Sequence, residues 1–503
     1  MTDRPKIPRR AVLAGAGALA APGGGKAAPA EAKAIPAPVG RPWVNFFAIQ
    51  RIWGYADRVS LAPGERLNVM LAGGPGEPPR QVHLEVFRIG AGQAQTLVWR
   101  SQPAPVVAHP ATRSAAAVGP NWPVTFGGID TSAWPPGCYS VDAVEEGTLT
   151  RDVKVAQWIV RNPARRGAVL VRLGTNTYQA YNDWGGHSLY PSDDDEARGV
   201  MVSYDRPTPP SFFEYDAYLV GWLEGLAPSL GGAVDYACNH DVHRDPAILD
   251  GYGLVISASH DEYWSKEEFD AFERRIHRQG RNVAFLGGNP AYYQVRYADL
   301  NAAPGEAPRG RQIVCYKDAR DPILRRPIQG DPRLLVTSLF RDGARRPETM
   351  LGGVAYQSWF DPAGPLRVAY RVARTDHPFF EGTGWKVGDT AGDVVGYEWD
   401  NRDPEGDGKR LWDPQKSLIP ELPLAGLRVL FTGHPTDVDG DPGLAEAVYF
   451  RSKAGAQVFS AGSIRWAWGL GKEGFVNPAF QRFNENLVRQ MSRRRSGRTS
   501  GRT

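Results

Sequence analysis

Three short segments of this chain concentrate carboxylate, imidazole, amide and phenol groups beyond what packing requires. They are Thr175-Asn176-Thr177-Tyr178-Gln179-Ala180-Tyr181-Asn182-Asp183-Trp184, Ser259-His260-Asp261-Glu262-Tyr263-Trp264, and Gly287-Gly288-Asn289-Pro290-Ala291-Tyr292-Tyr293. A fourth, Asn239-His240-Asp241-Val242-His243, adds two histidines. Phenolate and carboxylate are hard anionic oxygen donors, suited to a hard Lewis-acidic cation and not to thiolate-type metal chemistry. A free tyrosine ionises near pH ~10, so only a highly charged ion would hold it ionised at neutral pH. Such an ion could polarise an amide carbonyl or activate water. An imidazole two residues from Glu262 could serve as general base or as donor to a developing oxyanion.

Each segment also has a plainer reading. His260-Asp261-Glu262 could be a polar turn entering a helix, its acids favoured by the positive helix end. Tyr181 alone would be a packed aromatic with a satisfied hydroxyl. His240 and His243 read as hydrogen-bonding loop residues rather than ligands. What favours chemistry is the conjunction: each segment directly follows a strand-like run, and ligands bind at the carboxyl ends of strands in doubly wound sheets.

Those runs define the larger of two domains. Ala168-Val169-Leu170-Val171, a strand near Val234, Leu254-Val255-Ile256 and Val283-Ala284-Phe285-Leu286 alternate with helical patterns at 212–226 and 265–279. Continuous apolar strands separated by helices predict a doubly wound, mostly parallel α/β domain over 163–492, laid out like a glutamine amidotransferase or a flavodoxin. Ser265 with Glu268 three residues on is a capping box, and Gly280 closes that helix. Residues 300–425 are loop-rich. Strands return at Val429-Leu430-Phe431 and Ala456-Gln457-Val458-Phe459, and a closing helix covers 477–491.

The preceding 43–162 carry only strand signals, among them 67–71, 82–87, 139–144 and 153–160, separated by turn clusters such as Gly73-Gly74-Pro75-Gly76. This predicts an Ig-like β-sandwich. Residues 31–42 are an Ala/Pro-rich linker, and 493–503 a basic Ser/Gly/Thr-rich tail.

Residues 1–30 read as a twin-arginine export signal. Arg9-Arg10 precede a mildly apolar Ala/Leu/Gly run too short to span a bilayer, and Ala28-Pro29-Ala30 offers a cleavage site. The expectation is a periplasmic or secreted protein, exported already folded, with no transmembrane anchor in its mature form. Of 59 Lys+Arg and 55 Asp+Glu, five and one lie in that signal, so the remainder carries 54 of each. A neutral mature chain removes the main support for nucleic-acid binding. Cys138, Cys238 and Cys315 form no C-x-x-C, so no disulfide framework or structural zinc site is encoded.

No G-x-S-x-G, H-E-x-x-H, Walker loop or dinucleotide fingerprint occurs outside the signal. Three readings remain open. The first is a metal-dependent hydrolase of small amides. The second is a carbohydrate-active hydrolase pairing Glu262 with Asp261 or Glu398, to which 15 Trp would lend stacking surfaces. The third is a non-catalytic exported binding protein for a glycan or another protein.

The stretches TYQAYNDWGGHSLY (177–190), SASHDEYW (257–264), AFLGGNPAYYQVR (284–296), RQIVCYKDARDP (311–322), VGYEWD (395–400) and GAQVFSAGSIRWAWGL (455–470) together resemble the C-terminal region of the N,N-dimethylformamidase large-subunit family. The resemblance implies a mononuclear iron(III) centre held by two tyrosines and one glutamate. Carried onto this chain, Tyr181 and Glu262 would be ligands, with Tyr139 in Pro135-Pro136-Gly137-Cys138-Tyr139-Ser140 as the second tyrosine. His260, Asn289 and Lys317 would be the polar residues around the metal. Tyr178 stands where the family pattern has Trp, and Ser259 where it has Gly. The implied substrate is a small linear amide or formamide; homo-oligomerisation is left open.

Overall fold

The computed structural model describes residues 50–493 except 75, 111–113, 149, 192–197, 208–210, 232, 300–309, 318–319, 326–329, 363, 365–366 and 403–423. The export signal, the linker and the tail beyond Arg493 lie outside the described residues.

The amino-terminal part is built from β1 (Ile52–Ala56), β2 (Ser60–Leu61), β3 (Arg66–Gly73), β4 (Arg80–Ile89) and β5 (Gln95–Arg100). It continues with β6 (Ala104–Val106), β7 (Phe126–Asp130), β8 (Gly137–Glu145) and β9 (Arg151–Val160). One sheet has the order β1-β3-β7; the other runs β2-β9-β8-β4-β5, with β6 beside β4. Val82, Leu84 and Val86 alternate along β4 into a core shared with Ile52, Leu67 and Leu71 of the facing sheet. Two sheets on one core is what the structure shows of the immunoglobulin-like expectation.

The second part holds β10 (Gly167–Leu173), β11 (Met201–Ser203), β12 (Val234–Cys238), β13 (Tyr252–His260) and β14 (Tyr263–Ser265). Then come β15 (Asn282–Gly288), β16 (Tyr293–Ala298), β17 (Gln312–Val314), β18 (Ala355–Trp359) and β19 (Val368–Val372). The last are β20 (Thr390–Val395), β21 (Glu398–Asn401), β22 (Leu424–Gly433), β23 (Ala445–Ser452) and β24 (Gln457–Ser460). The helices that matter below are α1 (Thr175–Tyr181), α2 (Ala217–Leu226), α3 (Asn239–Arg244), α4 (Lys266–Glu273) and α5 (Pro478–Ser492).

The central sheet corrects the expected fold class. Its order is β12-β10-β13-β15-β24-β23-β22-β19-β20. The pairs from β12 to β24 are parallel, but every pair from β24 to β20 is antiparallel. The sheet is mixed, not doubly wound and mostly parallel, and among the described residues strand outnumbers helix, 38% to 24%. The reason lies in the connections. Helical crossovers join the strands up to β15, whereas β23 turns into β24 through the tight Ser452–Ala456 turn, which only an antiparallel pair can use. Two smaller sheets, β11-β17-β16-β14 and β18-β21, accompany it.

Side-chain alternation on the parallel strands splits the interior into two cores. Val169, Val171, Leu254 and Ile256 face one with Leu219 of α2 and Phe483 of α5. Leu170, Val255 and Phe285 face the other with Phe269 and Phe272 of α4. Truncating one such buried Leu or Ile to Ala costs about 2–5 kcal/mol. The capping box is present: the Ser265 N–H donates to Glu268 Oε2 at 2.9 Å, and the Glu268 N–H donates to Ser265 Oγ at 3.3 Å. Past α4 the helix loosens into a π-turn at Arg274–Arg278, and Gly280, at φ +63°, ends it.

Candidate functional site

The carboxyl ends of β10, β13 and β15, adjacent in the sheet, deliver the three polar segments to one place. Tyr181 is the last residue of α1, which follows β10; His260 ends β13 and Glu262 occupies the turn into β14; Asn289 directly follows β15. Hydrogen bonds fix this turn from several sides. The Glu262 N–H donates to Thr177 Oγ1 of α1 at 2.9 Å. The Ala291 N–H donates to the Asp261 carbonyl, and the Tyr292 and Tyr293 N–H groups to the Glu262 carbonyl. Beneath it, the fully buried Arg172 of β10 donates to Asp261 Oδ1 at 2.6 Å and stacks its guanidinium 4.1 Å over the Trp264 ring.

Ser259, Asn289, Ala291 and Lys317 have positive φ of +38°, +53°, +53° and +61°. All four flank the candidate site, and left-handed backbone at non-glycine residues costs on the order of 1–3 kcal/mol each. Such a concentration of costly backbone marks a place where side-chain direction matters more than stability.

The centre of the arrangement is Glu262, buried completely. The Tyr181 hydroxyl donates to its Oε2 at 2.8 Å. The Tyr190 hydroxyl lies 2.8 and 2.9 Å from its two carboxylate oxygens and 2.9 Å from the Tyr181 hydroxyl. Tyr263 donates to Tyr190 at 2.7 Å. Three hard oxygen donors therefore meet in one small, buried volume. Burial, reinforced by the Glu262 charge, pushes the Tyr181 phenol well above its usual range. With no cation the phenols stay protonated and satisfy Glu262 as hydrogen-bond donors; a highly charged cation is what could ionise them. Among the described residues no group of three His, Cys, Asp or Glu side chains converges to hold a metal. Any ion at this centre would depend on the phenols.

His260 connects this cluster to a second carboxylate. Its Nε2 is 3.4 Å from Glu262 Oε2 and 3.5 Å from Glu398 Oε2, and its Nδ1 is 3.4 Å from the Tyr397 hydroxyl. Burial opposes the charged imidazole, but the Glu398 charge and the contacts to both carboxylates outweigh it and carry the pKa up to about 9. Asn289 Nδ2 donates to Glu398 Oε2 at 2.7 Å, and the Asn289 N–H is held by Asp400 at 2.9 Å. Burial pushes Asp400 up to about 7.

The structure thus brings Tyr181, Glu262, His260 and Asn289 together. Lys317 is near, its ammonium 3.4 Å over the face of Tyr190 and 4.5 Å from the Tyr293 ring. Tyr139 is not part of the cluster. It lies in the sandwich core, stacked on Trp134 and Trp158, with its hydroxyl donating to the Pro135 carbonyl at 2.5 Å. Its place on β8 points it into that core, so the second tyrosine of the cluster is Tyr190. Tyr190 closes the very stretch whose Tyr181 the sequence singled out, yet no spacing rule marks it, because the turn that folds it back is set by tertiary contacts. Glu398 and Tyr397 come from β21 and the residue before it. Asp261, weighed as a partner carboxylate, turns away to Arg172 and Ser257. His240 and His243 pack with Tyr204 and Tyr297 elsewhere, and burial pushes His240 down to about 3.

The family model described as N,N-dimethylformamidase beta subunit-like, C-terminal, matches residues 83–479. The N,N-dimethylformamidase beta subunit of Paracoccus aminophilus is 25% identical over 306 residues. That match covers 55% of this chain but 36% of the relative, so the chain spans about a third of that protein's length.

Proposed function

Since the chain belongs to the N,N-dimethylformamidase beta subunit-like family, we propose that it is a hydrolase cleaving the C–N bond of a small linear amide or formamide, with iron(III) as its cofactor. The observation that carries this reading is the convergence of Tyr181, Tyr190 and Glu262 within 2.8–2.9 Å of one another. These three would hold the ion, their three negative charges matching its own. When bound, iron(III) supplies Lewis acidity toward an amide carbonyl and toward water.

The chain's own residues supply the rest. His260, held protonated by Glu398, donates its Nε2 proton to the departing amine nitrogen. Asn289 fixes Glu398, and so the direction of the imidazole. Lys317 places positive charge against the Tyr190 ring and favours its phenolate. Burial of the whole cluster excludes bulk water and strengthens each of these interactions. The glycan-hydrolase reading loses ground, because an imidazole fills the space between Glu262 and Glu398 where the sugar bond would have to sit. Export through the twin-arginine route, after folding and metal loading, belongs to the same proposal, as does assembly with further subunits.

Metal analysis and visible spectroscopy of the exported protein, followed by an amide screen, test it. Near-stoichiometric iron with a tyrosinate charge-transfer band and release of amine from a formamide are expected. Iron-free, folded and active protein would refute the metal assignment; iron-loaded protein inert to every small amide would refute the reaction.

A further inference from the structure

A continuous run of aromatic rings leads from His260 toward the surface, and its outer end is crowded with cations. The His260 ring meets Tyr397 at 6.0 Å between centroids, Tyr397 meets Tyr215 at 6.3 Å, Tyr215 stacks on Trp468 at 6.0 Å, and Trp468 meets Phe475 at 4.9 Å. His260, Tyr397 and Trp468 are buried, Tyr215 and Phe475 half-buried, and Glu473 and Gly474 beside them exposed. Tyr215 lies in a π-helical turn, Phe212–Asp216, an irregularity that recurs at functional sites.

Three cations gather on the outer rings. Lys472 Nζ is 3.1 Å from the centre of Trp468, and the Arg465 guanidinium lies 4.7 Å from that same ring. The Arg367 guanidinium lies 4.2 Å over Phe475. Lys472 makes no ion pair among the described residues, and the only nearby contact of Arg367 with an acid is a loose one to Asp393 at 3.9 Å. Glu214, whose carbonyl accepts from Trp468 Nε1 at 3.0 Å, faces Lys472 and Arg465, and burial pushes its own pKa up. Burial and the two arginines hold Lys472 down to about 8 against the pull of Glu214. Like charges crowded this way cost the free protein stability, and an arriving anion recovers it. The inner end of the cluster is tied to the candidate site: the Arg465 N–H donates to the Gly396 carbonyl at 2.8 Å, two residues before Glu398.

We propose that this ring-lined, cationic approach recognises a carboxylate on the substrate, so that the amide cleaved at His260 belongs to a linear amido acid whose anionic group sits several bonds from the scissile C–N bond. Lys472 and Arg367 are the specificity-determining residues, and the aromatic run contacts the intervening chain. The inference rests on the amide-hydrolase reading for its reacting end, but the anion site stands on its own residues.

The test compares N-formyl derivatives of glycine, 4-aminobutyrate and 6-aminohexanoate with neutral N-alkylformamides of matching length. At low ionic strength kcat/KM for at least one anionic member should exceed its neutral partner by about tenfold or more. That ratio should fall about fivefold or more in Lys472→Met, which keeps the contact with Trp468, and fall again in Arg367→Gln and at raised salt. A ratio near one in the wild type, or one indifferent to both substitutions, overturns the proposal. If neither series turns over, the hydrolase reading has failed and calorimetry decides this one: 6-acetamidohexanoate should bind the wild type about fivefold more tightly than Lys472→Met. Equal affinity, or no binding to the wild type, overturns it.

Discussion

The Tyr190 hydroxyl lies within 2.9 Å of both carboxylate oxygens of Glu262. Replacing Tyr190 by Phe removes one of the three oxygen donors while keeping the ring under Lys317. Iron content should drop, the tyrosinate band should weaken, and amide turnover should fall by about 10²–10³. Tyr139→Phe is the contrast: the band should be untouched, and the lost hydrogen bond to Pro135 should cost about 1 kcal/mol in urea denaturation.

In the proposed reaction Glu398 acts through His260. Glu398→Gln preserves an acceptor for Asn289 but removes the charge that holds the imidazole protonated. We expect kcat to fall about ten- to hundredfold with iron content unchanged. An unchanged kcat would remove the proton-donor role from His260.

Arg172 has no exposed surface and is held by Asp261, Glu268 and Trp264. Arg172→Met leaves two buried carboxyl groups without their cation. The expected loss is about 3–5 kcal/mol of unfolding free energy, read from denaturant melts.

Acid sensitivity has an identifiable contributor in His377, packed at 4.1 Å on Phe379 and 4.3 Å on Tyr449. Burial, with Arg428 and Arg451 nearby, pushes its pKa down to about 4. The unfolded chain takes up that proton near pH ~6.5, so stability present above this value is lost as pH falls toward 4. Buried Asp216 and Asp400, both pushed up to about 7, work in the opposite sense, so only a difference isolates the histidine. Between about pH 7 and pH 4 the wild type should lose on the order of 2 kcal/mol relative to His377→Gln.

Changing Arg9 and Arg10 together to Lys should leave the precursor in the cytoplasm, as judged by cell fractionation. Export at the wild-type level would set the twin-arginine reading aside.

Much of the parallel half was legible because its signals are local. The apolar runs at 168–171, 254–256 and 283–286 are too short and β-branched for helices, and Ser265 with Glu268 announces α4 before any tertiary contact exists. The convergence of Tyr181, His260, Glu262 and Asn289 was legible from the same locality, since each follows a readable strand. What stayed hidden was long-range. β24 lies parallel beside β15 and β23 reverses the sheet next to it, yet the Gln457–Ser460 sequence says only that it is a strand. Tyr139 carries the same phenol as Tyr190, and only the direction imposed by β8 separates them. Glu398 is an unremarkable acid until β21 brings it to His260.

Val283 pairs with Val458, and Asn282 Nδ2 reaches the Met491 carbonyl in α5. The strand that precedes Asn289 therefore acquires its second neighbour only after Gln457–Ser460 has been synthesised. Non-local pairing of this kind pays its loop-closure entropy late and folds slowly. A ribosome-bound fragment ending before residue 457 leaves one edge of β15 open, a ready template for wrong partners.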